Sequence, residues 1–149
     1  MKHLLKEKDL IEISDRILTE VSKNKKNKKA SLLALSGDLG AGKTTLTQEI
    51  ARKLGIKDKI ISPTFIIMKR YEVNKKSPYY KFFKRLIHID AYRLEDEHGL
   101  ESLGWEDIVQ DEDSLIVIEW PERVQPLLDK NVLWIRLGHI DDATRSLEF

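Results

Sequence analysis

One octapeptide limits this chain more than any other feature: Gly37-Asp38-Leu39-Gly40-Ala41-Gly42-Lys43-Thr44. It fits G-x-x-x-x-G-K-[ST] without a gap. Such a loop wraps backbone N–H groups around a polyphosphate, and larger side chains would obstruct that approach. The helix that opens near Lys43 aims its free N–H groups and the positive end of its dipole at the same place. Lys43 supplies a point charge to the outer phosphates, and the Thr44 hydroxyl is suited to Mg²⁺. The motif needs a buried strand before it and a helix after it, which commits the chain to an α/β fold. Both flanks comply. Residues 31–36 are nearly all apolar and end at Gly37, as in a strand buried on both faces. Residues 43–54 carry Leu46, Ile50 and Leu54 at helical spacing, with Gly55 in place as a C-cap.

The 149 residues suffice for one domain, expected to span 1–149. The chain has no cysteine, which excludes disulfides, thiolate metal sites and cysteine nucleophiles. Histidines 3, 88, 98 and 139 have no close metal spacing, so no structural zinc is expected. No apolar run nears the roughly 20 residues of a membrane span, and the first residues lack a signal-peptide core. A soluble cytoplasmic protein with no membrane partner is expected. The net charge of +1 argues against a generally basic nucleic-acid binder, but it hides an asymmetry. Residues 23–29 hold five lysines, residues 69–85 hold seven Lys or Arg and one acid, and residues 95–113 hold nine acids and no Lys or Arg. Such blocks are solvated faces in the simplest case, or basic and acidic surfaces for different partners.

Along the chain, Leu10, Ile13, Ile17, Leu18 and Val21 form one helical stripe over 9–21. Strands are expected over 65–73 and 80–90, joined by a hairpin-like loop at 74–78. A short helix is expected over 100–109, buried strands over 115–120 and 132–137, and a closing edge strand over 144–149. The expected architecture is a mostly parallel central sheet with antiparallel strands added and helices on both faces. The strands ending at Gly37 and Glu119 should lie near its centre.

A phosphate loop also needs an acid at the end of a neighbouring strand to hold Mg²⁺. Residues 86–90 end in Asp90 and residues 115–119 end in Glu119. Ligands in open α/β sheets bind beyond the carboxyl ends of strands, so both acids qualify. Glu119 ends the more continuous apolar run and is favoured for the metal. Asp90 would then orient or deprotonate an attacking water. Either acid could instead cap a helix or turn. In Ser62-Pro63-Thr64-Phe65, the Thr64 hydroxyl could sense a γ-phosphate as switch loops do, or the segment is an ordinary turn. Arg93 and Arg123 lie within sequence reach of the acids, although surface ion pairing is the commoner fate of an arginine. His88 shares a strand face with Asp90 and either hydrogen-bonds in the site or packs. Trp120 either lines the nucleotide pocket or buries against a neighbour. The run Tyr79-Tyr80-Lys81-Phe82-Phe83 is read as strand alternation rather than base stacking. A guanine-reading Asn-Lys-x-Asp is missing, the nearest string being Asn74-Lys75-Lys76-Ser77, so adenine is the expected base.

Four motifs together carry a resemblance: 37–45, Ser-Pro-Thr-Phe at 62–65, His-Ile-Asp-Ala-Tyr-Arg-Leu at 88–94, and Ile-Glu-Trp-Pro-Glu at 118–122. In order and spacing they resemble the TsaE (YjeE) proteins, small bacterial P-loop ATPases needed for threonylcarbamoyladenosine in tRNA. The resemblance implies a P-loop NTPase fold and an ATPase of low intrinsic turnover that uses ATP and Mg²⁺. It implies that Asp38, Leu39, Gly40, Ala41, Gly42, Lys43, Thr44 and Thr45 hold the nucleotide, with Trp120 beside it. It puts Thr44 and Glu119 on the metal, and gives Asp90, Lys43 and Thr64 roles in hydrolysis. It also implies TsaD and TsaB as partners, with tRNA met through their complex. The resemblance further implies that those partners transfer the threonylcarbamoyl group to adenosine 37 and that a chain of this kind resets or licenses them. Two other readings remain at this point. A small-molecule kinase would need an arginine-rich lid, and the stretch between Arg93 and Glu119 is acidic instead. A binding module would use ATP only as a conformational ligand.

Overall fold

The computed structural model describes residues 2–63 and 65–149, the Lys26 side chain excepted. Seven strands form one mixed sheet: β1 (Lys2–Leu5), β2 (Ser31–Ser36), β3 (Met68–Glu72), β4 (Arg85–Asp90), β5 (Ser114–Glu119), β6 (Leu133–His139) and β7 (Arg145–Glu148). Their order across the sheet is β1-β7-β6-β2-β5-β4-β3. The four central strands, β6, β2, β5 and β4, are parallel. Antiparallel β3 adds to one side, and antiparallel β7 and β1 add to the other. The expected mostly parallel sheet is therefore observed, with β2 and β5 adjacent near its middle.

Two helices cover one face, α1 (Leu10–Lys23) and α2 (Lys43–Lys53). Side chains alternate across each strand, so Leu33, Leu35, Leu115 and Val117 meet Ile17, Leu18, Leu46 and Ile50 on that face. The other face carries α3 (His98–Glu101), α4 (Trp105–Val109) and a 3-10 segment over Pro121–Leu127. There Ile87, Ile89, Ile116 and Ile118 pack on Leu100, Trp105, Ile108 and Val124. Each fully buried aliphatic side chain contributes roughly 1.5–3 kcal/mol.

Several elements depart from the periodicity. The strand expected over 65–73 begins at Met68, because Ile67 adopts φ +67°, outside strand geometry. The strand expected over 80–90 begins at Arg85. Residues 79–82 wind as turns, and the Phe82 and Phe83 amides both donate to the Tyr79 carbonyl. The aromatic alternation there belongs to a turn packed on α1, with the Tyr79 hydroxyl donating to Asp15 at 2.8 Å and Phe83 wholly buried. The helix expected over 100–109 is broken at Gly104, which takes φ +86°. Strand β7 is not an edge, because β1 pairs beyond it. The basic and acidic runs do not face entirely separate ways, since Arg85 forms a two-bond contact with Asp111 at 2.8 and 2.9 Å.

Candidate functional site

The glycine-rich loop leaves β2 at the carboxyl end of the parallel strands and turns directly into α2. Gly37 passes so close to β6 that a Cβ would lie 2.5 Å from the Leu137 carbonyl oxygen. Gly42 caps α2 with φ +101°, a conformation that costs an L-residue energy. The first N–H groups of α2 have no partner within the helix, so they are available to a ligand at the loop. The Lys43 side chain is 5 % exposed and turns back into the loop, donating to the carbonyls of Gly37 (2.5 Å) and Asp38 (2.9 Å). Burial holds its ammonium below the usual lysine range, against the opposing pull of Glu119, Asp90, Glu122 and Asp38.

Sheet register brings the two acids together. Asp90 ends β4, Glu119 ends β5, and the two are direct parallel partners. Glu119 in turn lies beside Leu35 at the end of β2. Both acids lie on the α2 side of the sheet, beside the start of that helix. The Thr44 hydroxyl donates to Glu119, 3.0 Å from Oε1 and 3.3 Å from Oε2. Asp90 accepts from the Ser62 hydroxyl and from the Tyr92 amide at 2.9 Å. His88, fully buried, sets Nε2 against Glu119 Oε2.

Trp120 follows Glu119 in a left-handed conformation (φ +58°) that turns its ring back over the site. The ring is half-buried, lies 4.4 Å from Lys43 Nζ and tilts against Tyr92 at 5.1 Å. Thus Trp120 both packs and lines the cleft. Leu39, Gly40, Gly42, Lys43, Thr44, Thr45, Ser62, Asp90, Tyr92, Glu119 and Trp120 surround one opening of about 410 Å³. A larger cleft of about 680 Å³ lies across the loop, sharing Gly40, Gly42 and Thr45 and adding Ala41, Leu5, Leu10, Leu137 and Arg145. The smaller cleft carries the acids and the lysine. The larger one offers apolar walls with a rim of mixed charge, Lys6, Lys8 and Arg145 beside Glu7 and Asp142.

Thr64 lies outside the described residues. Arg93 stacks 4.4 Å from the Phe65 ring, and Arg123 reaches the Leu94 carbonyl at 3.5 Å. Among the described residues, no arginine lines the smaller cleft. A hydroxyl and buried carboxylates are hard oxygen donors, the set that suits Mg²⁺ together with phosphate oxygens. The direct Thr44–Glu119 contact shows that the two oxygens converge on one point, so these residues fit the ion.

A family model described as "Threonylcarbamoyl adenosine biosynthesis protein TsaE" matches residues 5–147. The tRNA threonylcarbamoyladenosine biosynthesis protein TsaE of Haemophilus influenzae is 37 % identical over 120 residues, covering 80 % of this chain and 70 % of that one. The chain belongs to the TsaE family. The TsaE protein of Bacillus subtilis is 36 % identical over 122 residues, covering 82 % of this chain and 70 % of its own. A crystal structure of B. subtilis YdiB superposes with a TM-score of 0.67 at 24 % identity, covering 99 % of this chain and 82 % of that one. That likeness bears on the fold, and it agrees with a P-loop NTPase-like architecture for this TsaE-family chain. TsaE proteins serve tRNA threonylcarbamoyladenosine biosynthesis.

Three contributors in this TsaE-family chain carry no site signal of their own in the sequence: Tyr92, Arg145 and Ser62, whose hydroxyl donates to Asp90. Tyr92 holds Asp90 through its backbone amide, which no side-chain pattern announces. Arg145 donates to the Gly40 carbonyl at 3.2 Å from 105 residues away. Its signal was only its place in the last strand, and the pairing of β6 with β7 brings it to the loop. No helix of the described residues is long and apolar enough to cross a membrane.

Proposed function

We propose that residues 1–149 form one ATPase domain that binds ATP with Mg²⁺, hydrolyses it slowly, and serves threonylcarbamoyladenosine formation by acting on the TsaD–TsaB complex in the cytoplasm. Transfer of the threonylcarbamoyl group itself belongs to those partners, and tRNA is met through them. The observation that carries this reading is the convergence of Lys43, Thr44, Glu119 and Asp90 in one cleft at the ends of three adjacent strands.

Each residue has a definite task. The loop amides from Leu39 to Thr45 surround the phosphates, and Lys43 exchanges its carbonyl partners for phosphate oxygens. Thr44 and Glu119 hold Mg²⁺. The ion neutralises charge on the outer phosphates when bound. Asp90, fixed from two sides by Ser62 and Tyr92, aligns a water and takes its proton. The water oxygen bonds to the γ-phosphorus while the bond to the bridging oxygen breaks, leaving ADP and phosphate. Trp120 covers the lysine and limits water access. The adenine and ribose extend past Thr45 into the larger cleft, between Leu5, Leu10 and Leu137. Thr64 is assigned to the γ-phosphate by its motif. With Arg93 and Arg123 turned elsewhere, no arginine among the described residues lines the cleft for the transition state, a contact that accelerates related reactions about 10³–10⁵-fold. That supports slow turnover by the chain alone.

The test is phosphate release from ATP and Mg²⁺, first with this chain alone and then with TsaD, TsaB and tRNA. Weak turnover that rises with the partners and vanishes in Glu119→Ala is expected. Vigorous turnover indifferent to the partners would contradict the assigned biology, and no nucleotide binding at all would contradict the assigned site.

A further inference from the structure

His88 has no part in the hydrolysis just described, and its position is costly. The side chain is fully buried in the middle of β4, on the face shared with Leu86 and opposite Val117 of β5. Imidazole in such surroundings must be hydrogen-bonded to be tolerated. Val117 is its direct partner on β5, so Glu119 is its diagonal neighbour on the same face, within reach of a long side chain. Nε2 meets Glu119 Oε2 there. A carboxylate only accepts, so Nε2 donates. Nδ1 is buried and has no hydrogen-bond partner among the described residues. The ring therefore spends its polar contact on Glu119 alone.

Glu119 is 3 % exposed and is approached from two sides, by Thr44 at the loop and by His88 beneath. Thr44 comes from the same cleft that a ligand would enter, so its contact can be exchanged. His88 comes from within the sheet, so its contact persists. Donors that hold a ligating carboxylate set its direction and its basicity, and losing them weakens metal binding.

We propose that His88 is a positioning residue for Glu119: its Nε2–H, delivered from inside the sheet, fixes the carboxylate so that one oxygen stays turned toward Thr44 and sets the affinity of the site for Mg²⁺. The inference rests on the ATPase reading above, and it deepens the role of the same site. His88 does not bind the ion itself, because its one engaged nitrogen is already committed to Glu119 and Mg²⁺ prefers oxygen.

The test uses binding rather than turnover. A fluorescent ADP analogue is titrated into the full chain with and without Mg²⁺, for wild type, His88→Met and His88→Gln. Methionine fills the buried space without a donor, and glutamine keeps an N–H near the position of Nε2. His88→Met should raise the Mg²⁺ concentration needed for half-maximal binding by about tenfold or more, while metal-free affinity stays within about twofold of wild type. His88→Gln should recover most of the loss. In a Glu119→Ala background, His88→Met should add nothing, because the group it positions is gone. A loss of metal-free affinity as large as the loss with Mg²⁺ would make His88 a packing residue and overturn the inference. So would an unchanged Mg²⁺ requirement, or a His88→Met effect that persists without Glu119. A wild-type chain that binds no nucleotide under any condition would instead overturn the ATPase reading, and the positioning role with it.

Discussion

The contact between Arg85 and Asp111 allows a stability change to be worked out with its sign. Arg85 Nε and Nη2 donate to the two Asp111 oxygens at 2.8 and 2.9 Å, and Ser114 and the Asp113 amide add donors at 2.6 and 3.1 Å. The Arg85 hydrogen bonds lead in holding the carboxyl down, from 3.8 to about 2, against the effect of burial. At about 1.4 kcal/mol per pKa unit, a drop of that size corresponds to roughly 2.5 kcal/mol. Both side chains are 32 % exposed, and water screens such a pair, so about 1 kcal/mol is expected to survive. Because the folded-state value is depressed, the stabilisation is complete above about pH 5 and is lost as pH falls through about 2. Urea unfolding of wild type and Asp111→Asn at pH 6 and pH 3 tests this. The variant should be less stable by about 1 kcal/mol at pH 6, and by roughly half that at pH 3. An equal deficit at both pH values would refute the electrostatic reasoning, leaving only the altered shape of the asparagine to account for it.

Gly37→Ala forces a methyl group to within 2.5 Å of the Leu137 carbonyl, and should cost about 2–3 kcal/mol in urea unfolding through displaced backbone. Lys43→Ala removes a charged donor from the phosphate loop, and should weaken ADP binding about 10–100-fold by calorimetry. Trp120 lies 4.4 Å from Lys43 Nζ, so Trp120→Phe should abolish the nucleotide-induced change in tryptophan fluorescence while leaving unfolding stability nearly unchanged. A persistent change would place the reporter at Trp105 or Trp134 instead.

The glycine-rich loop, its flanking strand and helix, and the two acids at strand ends were all legible in the chain. These features rest on local physics: a helix stripe repeats every 3.6 residues, and a strand buried on both faces must be continuously apolar. The errors arose where one residue overrode a pattern. Ile67 in a left-handed conformation delays β3, Gly104 breaks a helix, and the buried Phe83 with the hydrogen-bonded Tyr79 makes a turn of what reads as alternation. The Lys2–Leu5 strand was missed because four residues show too little periodicity to read, and its pairing with β7 supplies what the segment alone lacks.

The spacing of Gly37, Gly42, Lys43 and Thr44 already specified a phosphate-binding loop, because that loop is built from contiguous backbone. The more continuous apolar run before Glu119 favours that acid over Asp90 for the site beside Thr44, but it does not fix the choice in the same way. Asp90 and Glu119 are 29 positions apart in the chain, and both end apolar runs. Strand order settles the matter, since β5 pairs with β2 and β4 lies one strand further out. Glu119 therefore reaches Thr44, and Asp90 stands beside it with Ser62 and Tyr92. The imidazole of His88 under Glu119 follows from the same register. Contacts between strands depend on pairing energies summed over the whole sheet, and no local window of residues contains them.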